Sequence, residues 1–403
     1  MNAKLIKKTA TNILIASILA IFFTTTGFAK KGGNGGGKPG GEDPPPPETS
    51  CAGYASDFPA FAYTVQNRNR KGVVGYDMFL SNADADCAVK IHTSGYKGND
   101  LEFSYSQNGN DGVIVWRQDN NEYGGRKDAD LQYDRIKMIR FQTEAEAVTS
   151  PLPLASSTVA VVTADHNSFR YIDLSADGNN IAVSVGNNDE GFTINTIREI
   201  DISGCSSDCA VSSALYSHTE FAFVGLAYSS FGDRIYFTSA FRSASTDPRA
   251  NQEYVAFIEK QLVSELVSWS VPRIVTISGN GLHGNNPSYF RQPDVAIANL
   301  SDGPTEVLAF HYSQFNVQDP NTLMVLDMKT CSATPGPDAD DCLSTGESSI
   351  ALDVSDGRNV SFNDKVDATS MLFTTDSGII IEHDLISGYE IVLVDGFQAD
   401  SAH

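Results

Sequence analysis

The feature that most limits how this chain can fold is a strand–turn–strand unit that recurs along it. One copy runs Ile172-Asp173-Leu174-Ser175-Ala176-Asp177-Gly178-Asn179-Asn180-Ile181-Ala182-Val183-Ser184. The next runs Leu226-Ala227-Tyr228-Ser229-Ser230-Phe231-Gly232-Asp233-Arg234-Ile235-Tyr236-Phe237-Thr238. In each, an apolar run enters a Ser/Asp/Gly turn whose glycine tolerates positive φ, and a second apolar run leaves it. Weaker copies lie at Phe103–Trp116, Val295–Phe310 and Val360–Thr374, and Ser56-Asp57-Phe58-Pro59 opening into Phe61-Ala62-Tyr63 reads as the first. Third strands are expected at Tyr76–Ser81, Leu131–Phe141, Ile194–Ile202, Tyr254–Ile258, Leu323–Met328 and Ile379–Leu385. No long stretch carries helical periodicity. One such unit cannot bury both of its faces, so the units must stack on one another. The expectation is an all-β chain: a single β-propeller of six four-stranded blades over residues 51–403.

These turns resemble the PD40 (WD40-like) repeats of TolB-like propellers, whose signature is Ser-Pro-Asp-Gly followed by Ile-Ala-Phe. The resemblance covers Tyr54 to Asp395, with two departures: the turns lack the proline, and the copies near Ser56 and Ser361 are degenerate. It implies a six-bladed propeller in the cell envelope, commonly a platform on which proteins dock. It implies no particular partner, because fold and function separate easily.

The first 29 residues read as an export signal. Lys4, Lys7 and Lys8 precede an apolar run from Ile13 to Phe23, and Gly27 and Ala29 offer small residues for cleavage after Ala29. That run is too short to span a bilayer, which needs about 20 helical residues. No second membrane-spanning stretch follows. Residues 30–50 read as a disordered linker, glycine-rich and then stiffened by Pro44–Pro47. The chain is therefore expected in the periplasm or outside the cell, as a monomer. An oxidising destination suits its cysteines, read as the disulfides Cys205–Cys209, Cys331–Cys342 and, by what remains, Cys51–Cys87.

Charge narrows the partners. Asp and Glu number 50 against 28 Lys and Arg, a net charge of −22. A nucleic-acid binder needs a basic stripe to displace counterions, so that class is excluded.

In a four-stranded blade the second-to-third loops and the blade-to-blade connections leave on one face. Here those are the long segments 66–75, 117–129, 240–252, 279–293 and 312–321. Long loops on the rim of a rigid scaffold are where binding concentrates. Arg68, Arg70, Arg117, Arg126, Arg242, Arg249 and Arg291 fall on them, and guanidinium forks pair with carboxylate and phosphate. The expected partner is an envelope or extracellular protein, or an anionic ligand. His166, His218 and His283 fall between blades and His311 ends a second strand, so a convergence of the four would hold a divalent metal. No GxSxG, HExxH, P-loop or EF-hand motif occurs. The leading reading is a non-enzymatic binding scaffold without a cofactor. The alternative is a lyase or hydrolase acting on an anionic saccharide.

Overall fold

The computed structural model describes residues 60–69, 72–85, 87–94, 103–108, 111–119, 133–142, 157–161, 168–187, 193–218, 221–241, 254–263, 266–277, 288–300, 303–314, 322–328, 349–352, 357–375, 377–394 and 399–402. The expected signal peptide (1–29) and linker (30–50) lie outside them. Every helix or strand among the described residues is a β-strand, and all neighbours in the sheets are antiparallel.

The strands fall into four-stranded groups. β1 (Phe61–Asn69), β2 (Gly72–Ser81) and β3 (Ala88–Ser94) share a sheet with the chain's last strand, β25 (Ala399–Ala402), which pairs Ala402 with Tyr63 and Ser401 with Thr64. Next come β4 (Phe103–Asn108), β5 (Asp111–Asp119), β6 (Tyr133–Gln142) and β7 (Ser157–Val161). Then come β8 (Ser168–Leu174), β9 (Asn180–Asn187), β10 (Thr193–Asp201) and β11 (Tyr216–Ser217). One residue pair, Tyr133 with Phe169, joins these two groups into a single eight-stranded sheet. The following sheet holds β12 (Phe221–Tyr228), β13 (Arg234–Phe241), β14 (Tyr254–Val263) and β16 (Arg273–Ile277), with β15 (Leu266–Trp269) forming a ribbon on the far end of β14. The last two are β17 (Ser288–Leu300), β18 (Gly303–Gln314), β19 (Thr322–Asp327) and β20 (Ser349–Leu352), then β21 (Gly357–Phe362), β22 (Ser370–Thr375), β23 (Ile380–Asp384) and β24 (Glu390–Val394). The expected third strands are β2, β6, β10, β14, β19 and β23, each third in its group.

Two copies of the repeat turn close in the same way. Ser175 Oγ accepts the Asn180 N–H at 2.9 Å and donates to Asp177 at 2.6 Å, while Gly178 N–H donates to the Ser175 carbonyl at φ +65°. Ser229 Oγ accepts the Arg234 N–H at 3.0 Å and donates to Asp233 at 2.7 Å, with Gly232 at φ +67°. The serine hydroxyl and the left-handed glycine together fix the strand register.

Packing explains why the middle strands read as unbroken apolar runs. Strands buried on both faces lose the hydrophobic–polar alternation of half-exposed ones. On β5, Val113 and Val115 enter a core with β8 and β9, while Ile114 and Trp116 enter another with β2 and Phe103. On β18, Leu308 and Phe310 face the preceding group and Val307 and Ala309 the following one. Each such Val, Leu, Ile or Phe side chain is worth roughly 1.5–3 kcal/mol when fully buried. Among the described residues, six apolar cores form, each drawing on two consecutive groups. The sixth joins the last group to the first, through Leu372, Ile380 and Val394 against Phe61, Tyr63, Val65 and Phe79.

Cys205 and Cys209 form the expected disulfide, in the loop after β10. Cys87 is also disulfide-bonded; Cys51, Cys331 and Cys342 lie outside the described residues.

Candidate functional site

The antiparallel order sends all first-to-second and third-to-fourth connections to one end of the groups, called here the turn end. The first strands β4, β8, β12, β17, β21 and β25 pack on one another in sequence. A set of buried polar groups ties several of them together. Asp173 on β8 accepts the Ser104 hydroxyl of β4 at 2.7 Å with one oxygen and the Tyr228 N–H of β12 at 2.7 Å with the other. Asp294 on β17 accepts the Phe362 N–H of β21 at 2.7 Å. Ser104 Oγ in turn accepts the Leu174 N–H at 3.0 Å. Each bond satisfies a buried polar atom that would otherwise carry a desolvation cost.

The loop Asn363–Thr369, between β21 and β22, brings the cation to these carboxylates. Lys365 Nζ donates to Asp173 and stands 3.6 Å from Asp294, although Lys365 and Asp173 lie 192 residues apart in the chain. The loop is held from both sides. Ile297 N–H donates to the Lys365 carbonyl at 2.9 Å, Ala368 N–H donates to the Ile297 carbonyl at 2.7 Å, and the Ser230 hydroxyl donates to the Lys365 carbonyl. Asp364 accepts the Val366 and Asp367 N–H groups at 2.7 and 3.2 Å, closing the bend. Burial alone would lower the Lys365 ammonium, but Asp173 and Asp294 outweigh it and hold its pKa above the ordinary lysine value. A lysine kept charged between two carboxylates is a strut and a poor nucleophile or base.

Above this strut lies a cavity of about 340 Å³, lined by Tyr105, Ser106, Ala176, Ser361, Asn363 and Asp364 among others, with Ala60 and Val366 at its wall. It opens at the turn end, whereas sequence reasoning placed a site on the second-to-third and blade-to-blade segments. Burial pushes the Tyr105 phenol well up, so its hydroxyl stays protonated. The lining therefore offers hydroxyls, an amide and one exposed carboxylate.

Two further polar clusters sit at seams between groups. Arg234 pairs with Glu259 at 2.9 Å and Glu306 at 3.0 Å, and Tyr236 donates to Glu306 at 2.8 Å. Burial raises the Glu306 carboxyl against the opposing pull of Tyr236 and Arg234. Lys260 pairs with Glu199 at 3.1 Å, lies over Trp269, and shares Glu199 with the Tyr228 hydroxyl.

The sequence-predicted residues distribute differently. Arg117 lies within β5 instead of starting a loop; it is 4% exposed, and its guanidinium stands 5.9 Å from the Tyr171 ring. The reason is that β5 continues to Asp119 along its pairing with β6. Arg68 is in β1 opposite Val73, and Arg291 in β17 opposite His311. Arg70, Arg126, Arg242 and Arg249, with His166 and His283, lie outside the described residues. His218 follows β11, half-buried near the Tyr216 ring, and half-buried His311 is inside β18. Among the described residues, no three His, Cys, Asp or Glu side chains gather as metal ligands would.

Sequence reasoning passed over Asp173, Asp294 and Lys365. The signal available was a carboxylate inside an apolar strand, as in Ile172-Asp173-Leu174, where a charge is expected only with a partner.

No protein-family model matches the chain, and no curated protein sequence matches it. Solved structures similar to it include TolB from Acinetobacter baumannii, at a TM-score of 0.47 and 12% identity over 86% of this chain. The chain spans 66% of the length of that TolB. A putative TolB from Agrobacterium tumefaciens is similar at a TM-score of 0.43 and 10% identity, covering 85% of this chain and 90% of that one. The periplasmic gluconolactonase PpgL of Pseudomonas aeruginosa is similar at 0.42 and 11%, covering 85% and 98%. Likenesses at these values assign neither an activity nor a partner.

Proposed function

We propose that this chain is an exported, TolB-like, six-bladed β-propeller that binds a partner without catalysis. The observation that carries the reading is the cycle of six shared cores, in which the last group packs on the first. Groups arranged around an axis bring their first strands to the centre. A contact from Lys365 across to Asp173 is then expected, because the third and sixth of six blades stand opposite. The turns at Ser175–Gly178 and Ser229–Gly232 are read as PD40-type turns. β25 then closes the ring by supplying the first strand of the first blade. The leader at 1–29 and the Cys205–Cys209 disulfide support an oxidising compartment outside the cytoplasm.

Binding is favoured over catalysis because the one ammonium at the cavity floor is neutralised by its neighbours. What remains at the mouth is a set of hydrogen-bonding groups on a rigid frame, which suits recognition. The test is an affinity capture with the exported, oxidised chain as bait in envelope extract from its own source. Recovery of a protein in near-stoichiometric amount is the expected result. Failure to retain any protein, with turnover of an acidic oligosaccharide instead, would replace this reading with the enzymatic one.

A further inference from the structure

We infer that the turn end is a docking face for an extended polypeptide segment that carries Lys or Arg between large apolar residues. The inference rests on the binding-scaffold reading and names the partner's chemistry.

Among the described residues, apolar exposure is concentrated at this end. Phe231 in the turn after β12 is 74% exposed and Leu262 on the β14–β15 ribbon is 75% exposed. Val267 stands opposite Leu262 in the ribbon register, so the two share one face. Val366 on the plugging loop, and Ile386 and Tyr389 in the turn after β23, are exposed as well. Scattered apolar residues are ordinary on a surface, but their collection at one end of the strands marks an interaction face. The hydrogen bond from Ser230 to the Lys365 carbonyl ties Phe231 and Val366, the residues that follow, to one junction at the cavity mouth.

Charge decides what sort of partner fits. Exposed at the same end are Asp177, Asp201, Asp364 and Asp367. Among the described residues, the cations nearby are engaged: Lys365 with Asp173 and Asp294, Arg234 with Glu259 and Glu306, Lys260 with Glu199, and exposed Arg140 with the Gly178 and Ile202 carbonyls. The face is thus acidic and apolar together, and its complement is basic and apolar. Size points the same way. A cavity of about 340 Å³ is near the lower end of the roughly 300–1,000 Å³ range of ligand pockets, room for one or two side chains rather than an oligosaccharide.

The probe is a fluorescein-labelled peptide of alternating Lys and Leu or Phe flanked by Gly-Ser, titrated with the full exported chain at physiological salt and read by anisotropy. Two control peptides replace its lysines by Glu, or its apolar residues by Ser. Both controls should bind at least tenfold more weakly than the probe. Phe231→Ser, an exposed position whose change leaves the cores intact, and Asp364→Asn, which keeps the loop's acceptor oxygen, should each weaken the probe severalfold. Equal binding of the probe and its Ser control would reduce the effect to bulk charge and overturn the proposal. So would unchanged binding by both protein variants. Capture of an envelope protein that survives Phe231→Ser and Val366→Ser would overturn this face while leaving the scaffold reading standing. No peptide binding and no captured protein would remove both.

Discussion

The connection after β8 and the connection after β21 hold the same place in two copies of one repeat, yet they are built differently. Ser175–Gly178 closes on itself: the serine, aspartate and glycine bond one another and the next strand, with Ser106 and Arg140 as partners across the seam. Asn363–Thr369 has no glycine, and besides the bonds that Asn363 and Asp364 make within it, others run outward to Ile297, Ser230, Asp173 and Asp294. The turn that keeps the repeat's chemistry serves its own hairpin. The loop that lost it serves the whole assembly. Divergence from a repeat is thus where a shared, non-local task is carried.

The largest expected effect separates the two directly. Lys365→Met leaves two buried carboxylates without their cation, and loss of one partner from a buried ion pair costs about 3–5 kcal/mol. Urea unfolding should show that loss. The triple variant Lys365→Met, Asp173→Asn, Asp294→Asn should regain most of it, because no uncompensated charge remains. If the single variant is as stable as the parent, the loop is only a surface bend and the contrast disappears.

A smaller effect is expected at the closed turn. Gly178→Ala forces a left-handed residue to carry a side chain, at roughly 1–2 kcal/mol. Its methyl would also stand 3.2 Å from Val113 Cγ2. Gly232→Ala has the same positive φ but open space around it, so it should lose less. Equal losses at the two sites would mean that turn conformation alone matters and the seam contact does not.

The smallest effects are in pH dependence, and they have opposite signs. For Asp177, burial works to raise the pKa, and donation from Ser175 and Asn179 outweighs it, so the folded value is lowered. That stabilisation is present above the ordinary aspartate range and is lost as pH falls through the lowered value. For Lys365 the folded value is raised, so its stabilisation is full below the ordinary lysine range and is lost as pH rises through the raised value. Burial also raises the Tyr63 and Tyr216 phenols to about 12, which adds to alkaline loss between the ordinary phenol value and that point. Urea midpoints of Asp177→Asn should approach those of the parent on acidification, and those of Lys365→Met on alkalinisation. Convergence of both variants in the same direction would contradict the assignment.

Much of this was legible in the residues. The all-β class, the six third strands and the Cys205–Cys209 link follow from local signals: apolar runs, turn residues and short spacing. β25 was not legible, because Ala399-Asp400-Ser401-Ala402 has no apolar or β-branched pattern and pairs only because β1 offers an edge. Arg117 was misplaced by one strand end, since its β5 pairing outlasts the apolar run. The Lys365 contact was invisible because its partners are distant in sequence and a charged loop reads as solvated surface. The long-loop side, by contrast, drew attention through its length and its arginines, while the described cavity opens over the first-to-second turns.

The most direct test of the account is a double-mutant cycle between Lys365→Met and Asp173→Asn, each variant measured by urea unfolding of the oxidised chain. A direct contact between Lys365 and Asp173 predicts a coupling of at least about 1.5 kcal/mol, well beyond what distant, independent sites give. Additivity within about 0.5 kcal/mol would mean the two residues do not meet, and with that the strut and the ring proposed around it would fall.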